Sequence, residues 1–412
     1  MTEQIYRQYA NLVLKSGVNL QRGQKLFVQL EACHWDFGRV LVDEAYKLGA
    51  GYVLMEAGDP AELKARVTHG SEESLSYVPS WISQRNKTMV EEKWARLCFF
   101  GSRDPELAGS LDSDRLGIVQ KHGRLATHAI AKACGAGEIS WAGAALPTPE
   151  WAVKVFPGHE PEKSCSLLWK ELIKILKLDS DDPVREWSKI SQVTSLRAGQ
   201  LTAMKFESLR FQTEETDLTI YCHPNSMWIG GGSETVDGVM TIPNLPTFET
   251  FTTPDYRRTS GVVKVTYPVE VLGLSVEGAW FEFKKGKVVS YGASKHQDAL
   301  DRLFELCPQA RFLGEVALVD SSSPIYQSKR VFHSILFDEN ATSHIALGNG
   351  YVSALSDVQS TEKEYLLGEG INVSLVHHDF MIGNDQLDVT GTTFAGETVP
   401  IMRNGQFSQG FR

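Results

Sequence analysis

Apolar residues recur at two different periods along this chain, and the change from one to the other divides it. After the Arg22-Gly23 turn, Leu26-Phe27-Val28-Gln29-Leu30 is an apolar run of strand length. From Trp35 to Leu48 the residues Phe37, Val40, Leu41, Ala45 and Leu48 recur at three- and four-residue intervals, the period of one helix face, and Gly49 stands where a C-terminal cap is expected. Tyr52-Val53-Leu54-Met55 then reads as a second strand. Strand, helix, strand in that order predicts a right-handed crossover and a mainly parallel sheet, hence an α/β fold for the N-terminal part.

The sequence turns polar at Asp179-Ser180-Asp181-Asp182-Pro183, and beyond about residue 195 it becomes short alternating runs separated by glycine and proline. Leu218 to Tyr221, Val262 to Tyr267 and Ala279 to Phe283 predict strands, and Lys285-Gly286-Lys287 predicts a tight turn into Val288-Val289. One helix interrupts them, Lys295 to Leu306, whose Ala299, Leu300, Leu303 and Phe304 form a single apolar stripe ending before Pro308. The expected architecture is an α/β domain with a mainly parallel sheet over residues 1–195, serving as scaffold and controlling access, then a mixed α+β, β-rich catalytic domain over residues 196–412.

Length and composition agree with that division. A chain of 412 residues exceeds what one hydrophobic core usually organises, and 42% apolar with 22% charged residues excludes a disordered chain. A net charge of -10 without any compensating block of Lys and Arg works against nucleic acid or an acidic membrane surface as partner. The opening MTEQIYRQYANLV has neither a basic start nor an apolar stretch, and nowhere do about 18 apolar residues run together, which predicts a cytoplasmic protein. Cys33, Cys98, Cys134, Cys165, Cys222 and Cys307 are too scattered for a zinc ribbon or a disulfide framework and read as reduced thiols. Neither G-x-G-x-x-G after the first strand nor a G-x-x-x-x-G-K-[ST] loop occurs, so the α/β part carries no phosphate-cradling signal.

Candidate chemistry gathers in the C-terminal half, in Pro243-Asn244-Leu245-Pro246-Thr247-Phe248-Glu249, Leu313-Gly314-Glu315, Phe337 to His344, and Val376-His377-His378-Asp379-Phe380. A site for two divalent ions needs several carboxylates and a few neutral imidazoles, because carboxylates offset the charge and bridge ions about 3.5–4 Å apart. In an extended strand residues i and i+2 face the same way, so His377 and Asp379 reach one ion together while His378 points elsewhere. Glu315 interrupts the apolar run Phe312 to Val319, and a buried carboxylate is costly unless paired or bound to metal. The other positions have ordinary readings beside the functional one. Glu249 after Pro-Thr suits a turn or helix start, Glu339 a surface cap, His344 a hydrogen-bonded core histidine, and Tyr351 after Gly348-Asn349-Gly350 a packing ring. His159-Glu160 lacks the second histidine of H-E-x-x-H, no G-x-S-x-G elbow exists, and Gly230-Gly231-Gly232-Ser233 reads as a turn where backbones approach closely.

In order and spacing these segments resemble the thermophilic-type aminopeptidases, the M29 metallopeptidase family. The likeness runs through Asn244-Leu245-Pro246-Thr247 with Glu249, Gly314-Glu315, Asp338-Glu339-Asn340 with His344 to Gly348, Tyr351, and His377 with Asp379 to Gly383. Met227 to Gly231 and the opening Tyr9 to Gly23 extend it over essentially the whole chain. Where family members usually carry paired acids this chain has Phe248-Glu249, leaving Glu249 as the ligand there; His378 also departs from the family's usual residue.

The resemblance implies a homodimeric exopeptidase acting on peptides with a free N-terminus. Glu249, Glu315, His344, His377 and Asp379 would bind two divalent ions (Zn, Co or Mn), Glu339 would be a further ligand or a support, and Tyr351 would line the reaction centre. Water activated there attacks the first peptide carbonyl, and Glu249 or Glu315 takes the proton. The same ligand types would also serve another two-metal hydrolase such as a phosphoesterase, or a non-catalytic binding protein on the same scaffold.

Overall fold

In a computed structural model that describes residues 1–411, the chain forms two compact units, Met1–Lys189 with Gly232–Pro246, and Ile190–Gly231 with Thr247–Arg412. The change of texture near residue 195 falls within the helix Pro183–Met204. The chain returns to the first unit for Gly232–Pro246, so neither unit is a single continuous stretch.

The first unit is built on a four-stranded, all-parallel sheet of β1 (Lys25–Glu31), β2 (Tyr52–Gly58), β3 (Ala95–Phe100) and β4 (Trp141–Ala145) in the order β2-β1-β3-β4. The expected strand, helix, strand start is present, with the helix Trp35–Lys47 between β1 and β2 and Gly49 taking φ +94° just past its end. Leu26, Phe27, Val28 and Leu30 of β1 are buried, as the near-continuous apolar run of a covered parallel strand requires. The excursion Gly232–Pro246 docks beside β4, where Gly143 N–H donates to Pro243 C=O at 2.6 Å and Leu245 N–H to Gly143 C=O at 2.9 Å. Tyr9, fully buried, stands edge-on to Phe99 and beside Phe37 at ring distances of 6.4 and 5.5 Å. Its hydroxyl donates to Ala145 C=O at 2.8 Å and accepts from Ala145 N–H at 3.1 Å.

The second unit is strand-rich, as expected. An eight-stranded antiparallel sheet includes Asp217–Tyr221, Ser260–Lys264, Trp280–Lys284 and Lys287–Gly292. The turn at Lys285-Gly286 is a two-residue hairpin loop with both residues at positive φ, 48° and 79°. The run expected as a strand to Tyr267 leaves the sheet after Lys264, and Thr266 N–H instead donates to Met381 C=O at 2.7 Å. The expected helix is Gln297–Leu306, with its predicted stripe buried. One- and two-turn helices at Pro324–Gln327, Ile335–Asp338 and Lys363–Gly368 were too short to leave a periodic signal.

A second, five-stranded sheet runs in the order Ile229–Gly230, Thr250–Thr252, Leu313–Leu318, His344–Gly348, His377–Met381. Val316, Leu318, Ile345, Leu347 and Phe380 join one core with Leu209, Ile220, Val263 and Phe281 of the larger sheet. Phe380 meets Phe281 edge-on at 4.9 Å. Gly230 and Gly231 allow the close approach read from the sequence, since a Cβ on Gly231 would lie 2.1 Å from Ser191 C=O. All six cysteines are free, and no helix among the described residues is long and apolar enough to cross a membrane.

Tyr9→Phe leaves both backbone groups of Ala145 without their shared partner and is expected to lower stability by about 1–3 kcal/mol in urea denaturation. An unchanged midpoint would rule out that role for the hydroxyl.

Candidate metal centre

Period-two alternation decides which face of the five-stranded sheet carries chemistry. Directly paired residues share a face, and the register pairs Glu315 with Ala346, Ala346 with Asp379, Ala317 with His344, and Gly348 with His377. Glu315, His344, His377 and Asp379 therefore project together from the face opposite the core. Ala317, Ala346 and Gly348 lie between them, and their small size leaves room for the acids and rings. His378 alternates to the other face, as expected from the strand period.

The placement of Glu315 depends on a bulge. The pairing slips between Leu313 and Glu315, so that one extra residue, Gly314, is accommodated against the His344 strand. A Cβ on Gly314 would lie 2.1 Å from Asn349 C=O and 2.6 Å from Gly348 C=O, so only glycine permits this approach.

The side chains converge closely. His344 Nε2 lies 3.2 Å from Glu249 Oε2 and 3.7 Å from Glu315 Oε1. His377 Nε2 lies 3.1 Å from Glu315 Oε2 and 3.2 Å from Asp379 Oδ1. Two groups result, Glu249-Glu315-His344 and Glu315-His377-Asp379, each offering ligand atoms within 4.8 Å of one another, and Glu315 belongs to both. Two ligands each about 2.1 Å from one ion stand roughly 3–4 Å apart, so these separations suit a cation in each group.

The ring of His377 is oriented for that role. Its Nδ1–H donates to Asn349 C=O at 2.7 Å, which leaves Nε2 facing the carboxylates. Asn349 is itself bracketed by Gly348 and Gly350, and that Gly-Asn-Gly loop was the only sequence signal for its carbonyl's role. His344 Nδ1 makes a longer contact, 3.4 Å, to Thr342 C=O.

Electrostatics record a surplus of negative charge. Burial disfavours a charged His344 ring, but Glu249 and Glu315 outweigh it and raise its pKa well above the ordinary imidazole value. Burial likewise opposes charge on His377, yet Asp379 and Glu315 push it up to about 11. Burial alone would raise Asp379, but His377, with help from His344 and His378, holds it below the usual carboxylate range. Glu249 is raised by burial despite His344. The same carboxylates that raise both rings would be satisfied by cations placed among them.

The remaining predicted residues lie nearby. Glu339 is in neither close group; burial, then the charges of Glu249 and Asp379, push its carboxyl well up, and Asn340 Nδ2 donates to it at 3.4 Å. Asn340 also accepts from Phe248 N–H at 2.6 Å, tying the Glu249 segment to the Glu339 turn. The Tyr351 hydroxyl is 3.4 Å from His377 Nε2, and its ring packs against Phe251 at 5.4 Å. Thr253 Oγ1 accepts from Tyr351 N–H and donates to its C=O, at 2.9 and 3.0 Å, which fixes the backbone from which that ring projects.

A family model described as thermophilic metalloprotease (M29) matches residues 2–407. The chain belongs to the thermophilic metalloprotease family. Among M29 relatives, aminopeptidase AmpS of Bacillus subtilis is 34% identical and aminopeptidase T of Thermus aquaticus 35% identical, each over 97% of both chains. The solved structure of wild-type AmpT from Thermus thermophilus superposes with a TM-score of 0.92 at 33% identity, covering 98% of this chain and 99% of that one. The M29 assignment agrees with the resemblance carried by the motif order.

Gly314→Ala is expected to cost about 1–3 kcal/mol of stability through overpacking. By displacing Glu315 it should also weaken metal binding by about 10–100-fold, a range typical for disturbed ligand support. Calorimetric titration with zinc reads this directly, and an unaltered affinity would show that the bulge does not position Glu315.

Proposed function

We propose that Glu249, Glu315, His344, His377 and Asp379 hold two divalent cations, and that the enzyme uses them to release the first residue of peptides with a free N-terminus. The activity class follows from family and fold: this is a metallo-aminopeptidase, a hydrolase. The observation that carries the two-cation reading is Glu315, whose two oxygens face different imidazoles, His344 and His377, so that it would serve as a donor to both cations. When bound, zinc, cobalt or manganese, all suited to carboxylate and imidazole donors, supplies Lewis acidity to the peptide carbonyl and acidifies water.

The chain's own groups do the rest. Burial, reinforced by Glu315 and Asp379, raises the Tyr351 pKa, so the hydroxyl stays protonated and serves as a hydrogen-bond donor to the carbonyl oxygen as charge develops. Glu249, kept basic by burial, is suited to take a proton from the attacking water, with Glu315 as the other candidate. Glu339 supports the ligand set or joins it.

We infer that residues 196–412 carry this chemistry and that residues 1–195 serve as scaffold. Six free thiols fit a reducing compartment, so we assign the enzyme to the cytoplasm. The family resemblance suggests a homodimer, for which light scattering should return twice 45.8 kDa.

Glu315→Gln is expected to abolish hydrolysis of an aminoacyl anilide while the circular dichroism spectrum stays native. Near-normal turnover by that variant would remove the bridging assignment. Chelation should stop cleavage of peptides with a free amine, and added metal should restore it, with N-acetylated peptides and phosphate esters untouched throughout. Cleavage of acetylated peptides would exclude an aminopeptidase, and turnover of the phosphate ester alone would favour a phosphoesterase.

A further inference from the structure

The strand His377–Met381 ends the five-stranded sheet, so only one of its edges is paired within that sheet. Asn349 N–H donates to Val376 C=O at 2.7 Å and Ile382 N–H to Ser343 C=O at 2.9 Å. Carried through the register, these bonds place His378 and Phe380 in the hydrogen-bonded pairs and turn the N–H and C=O of His377, Asp379 and Met381 toward the free edge.

At Met381 the outward carbonyl is taken, by Thr266 N–H at 2.7 Å and Thr266 Oγ1 at 3.1 Å. At Asp379, only 9% exposed, the outward N–H and C=O have no partner among the described residues. Backbone groups of buried residues rarely stay unpaired, and an open strand edge is a template for another extended chain. Beside this edge lies a cleft of 360 Å³ lined by His377, His378 and Asp379 together with Val269, Glu270 and Ile335.

We propose that this edge receives the substrate itself: the peptide beyond the scissile bond lies extended along it and pairs with the Asp379 backbone as a further antiparallel or parallel strand. The inference rests on the aminopeptidase reading and adds how the substrate is held. Continuity with the metal-binding face singles out this occupant, because the side chains of His377 and Asp379 belong to the ligand set while their backbones form the edge. A strand paired here runs about 4.8 Å from the His377–Met381 strand, which keeps its first peptide bond within reach of the ligands. Thr266 closes the edge at Met381, so pairing is confined to the stretch opposite His377 and Asp379. The cleft thus selects peptides of about three or four residues or longer over single-residue esters and amides, without reading their sequence through the main chain.

The test uses the metal-loaded enzyme and a tetrapeptide with a free N-terminus, in its plain form and N-methylated in turn at each amide after the scissile one. In a strand, successive amides point to opposite sides, so methylation at one position should lower kcat/KM about tenfold or more while methylation at the next leaves it nearly unchanged. Equal tolerance of both methyl groups, or an equal loss from both, would overturn edge pairing while normal cleavage of the plain tetrapeptide leaves the aminopeptidase reading standing. Failure to cleave the plain tetrapeptide at all would overturn both.

Discussion

Three acids, Glu249, Glu315 and Asp379, are drawn toward two imidazoles, and their mutual repulsion is the constraint on which the site depends. Glu249, Glu315 and Asp379 are nearly excluded from water. Carboxylates gathered that closely in a low-dielectric setting need positive charge among them. Here His344 and His377 supply it by binding protons far more tightly than a free imidazole does. Divalent cations answer the same need with more charge and with open coordination positions, which is why a donor set so costly to bury is useful to a hydrolase.

The five-stranded sheet meets that constraint by giving its two faces different tasks. One face, with Val316, Leu318, Ile345, Leu347 and Phe380, belongs to the main core and holds the strands in register. The other presents the candidate ligands, separated by alanine and glycine. Because the register is locked by the buried face, a slip of one residue would exchange the candidate ligands for core residues, so packing on one side fixes geometry on the other. The Gly314 bulge is the one local departure, and it sits beside Glu315, the residue both groups share.

Much of the fold was legible because its signals are local. The helix period from Trp35 to Leu48, the strand pattern from Leu218 to Tyr221 and the Lys285-Gly286 turn each depend on residues within a few positions, and each matches an observed element. The short helices around Pro324 and Ile335 carry less than two turns of pattern, and the departure of Thr266 from its strand depends on a partner, Met381, more than a hundred residues away. No local pattern contains either fact.

The same division runs through the site. By itself the sequence determined the common facing of His377 and Asp379, the opposite facing of His378, and the improbability of a lone buried Glu315, since period two and the cost of burying charge are properties of the chain alone; Glu249, Glu339 and His344 entered as candidate ligands only through the family resemblance. Only the tertiary structure decided that Glu315 stands between the two imidazoles, that Asn349 aims His377, that Glu339 stands outside both close groups, and that the Asp379 backbone is left open at a sheet edge. Those outcomes depend on strand order, on a one-residue bulge and on distances between segments far apart in sequence. They are set by how the buried faces pack, which the order of residues along the chain does not state.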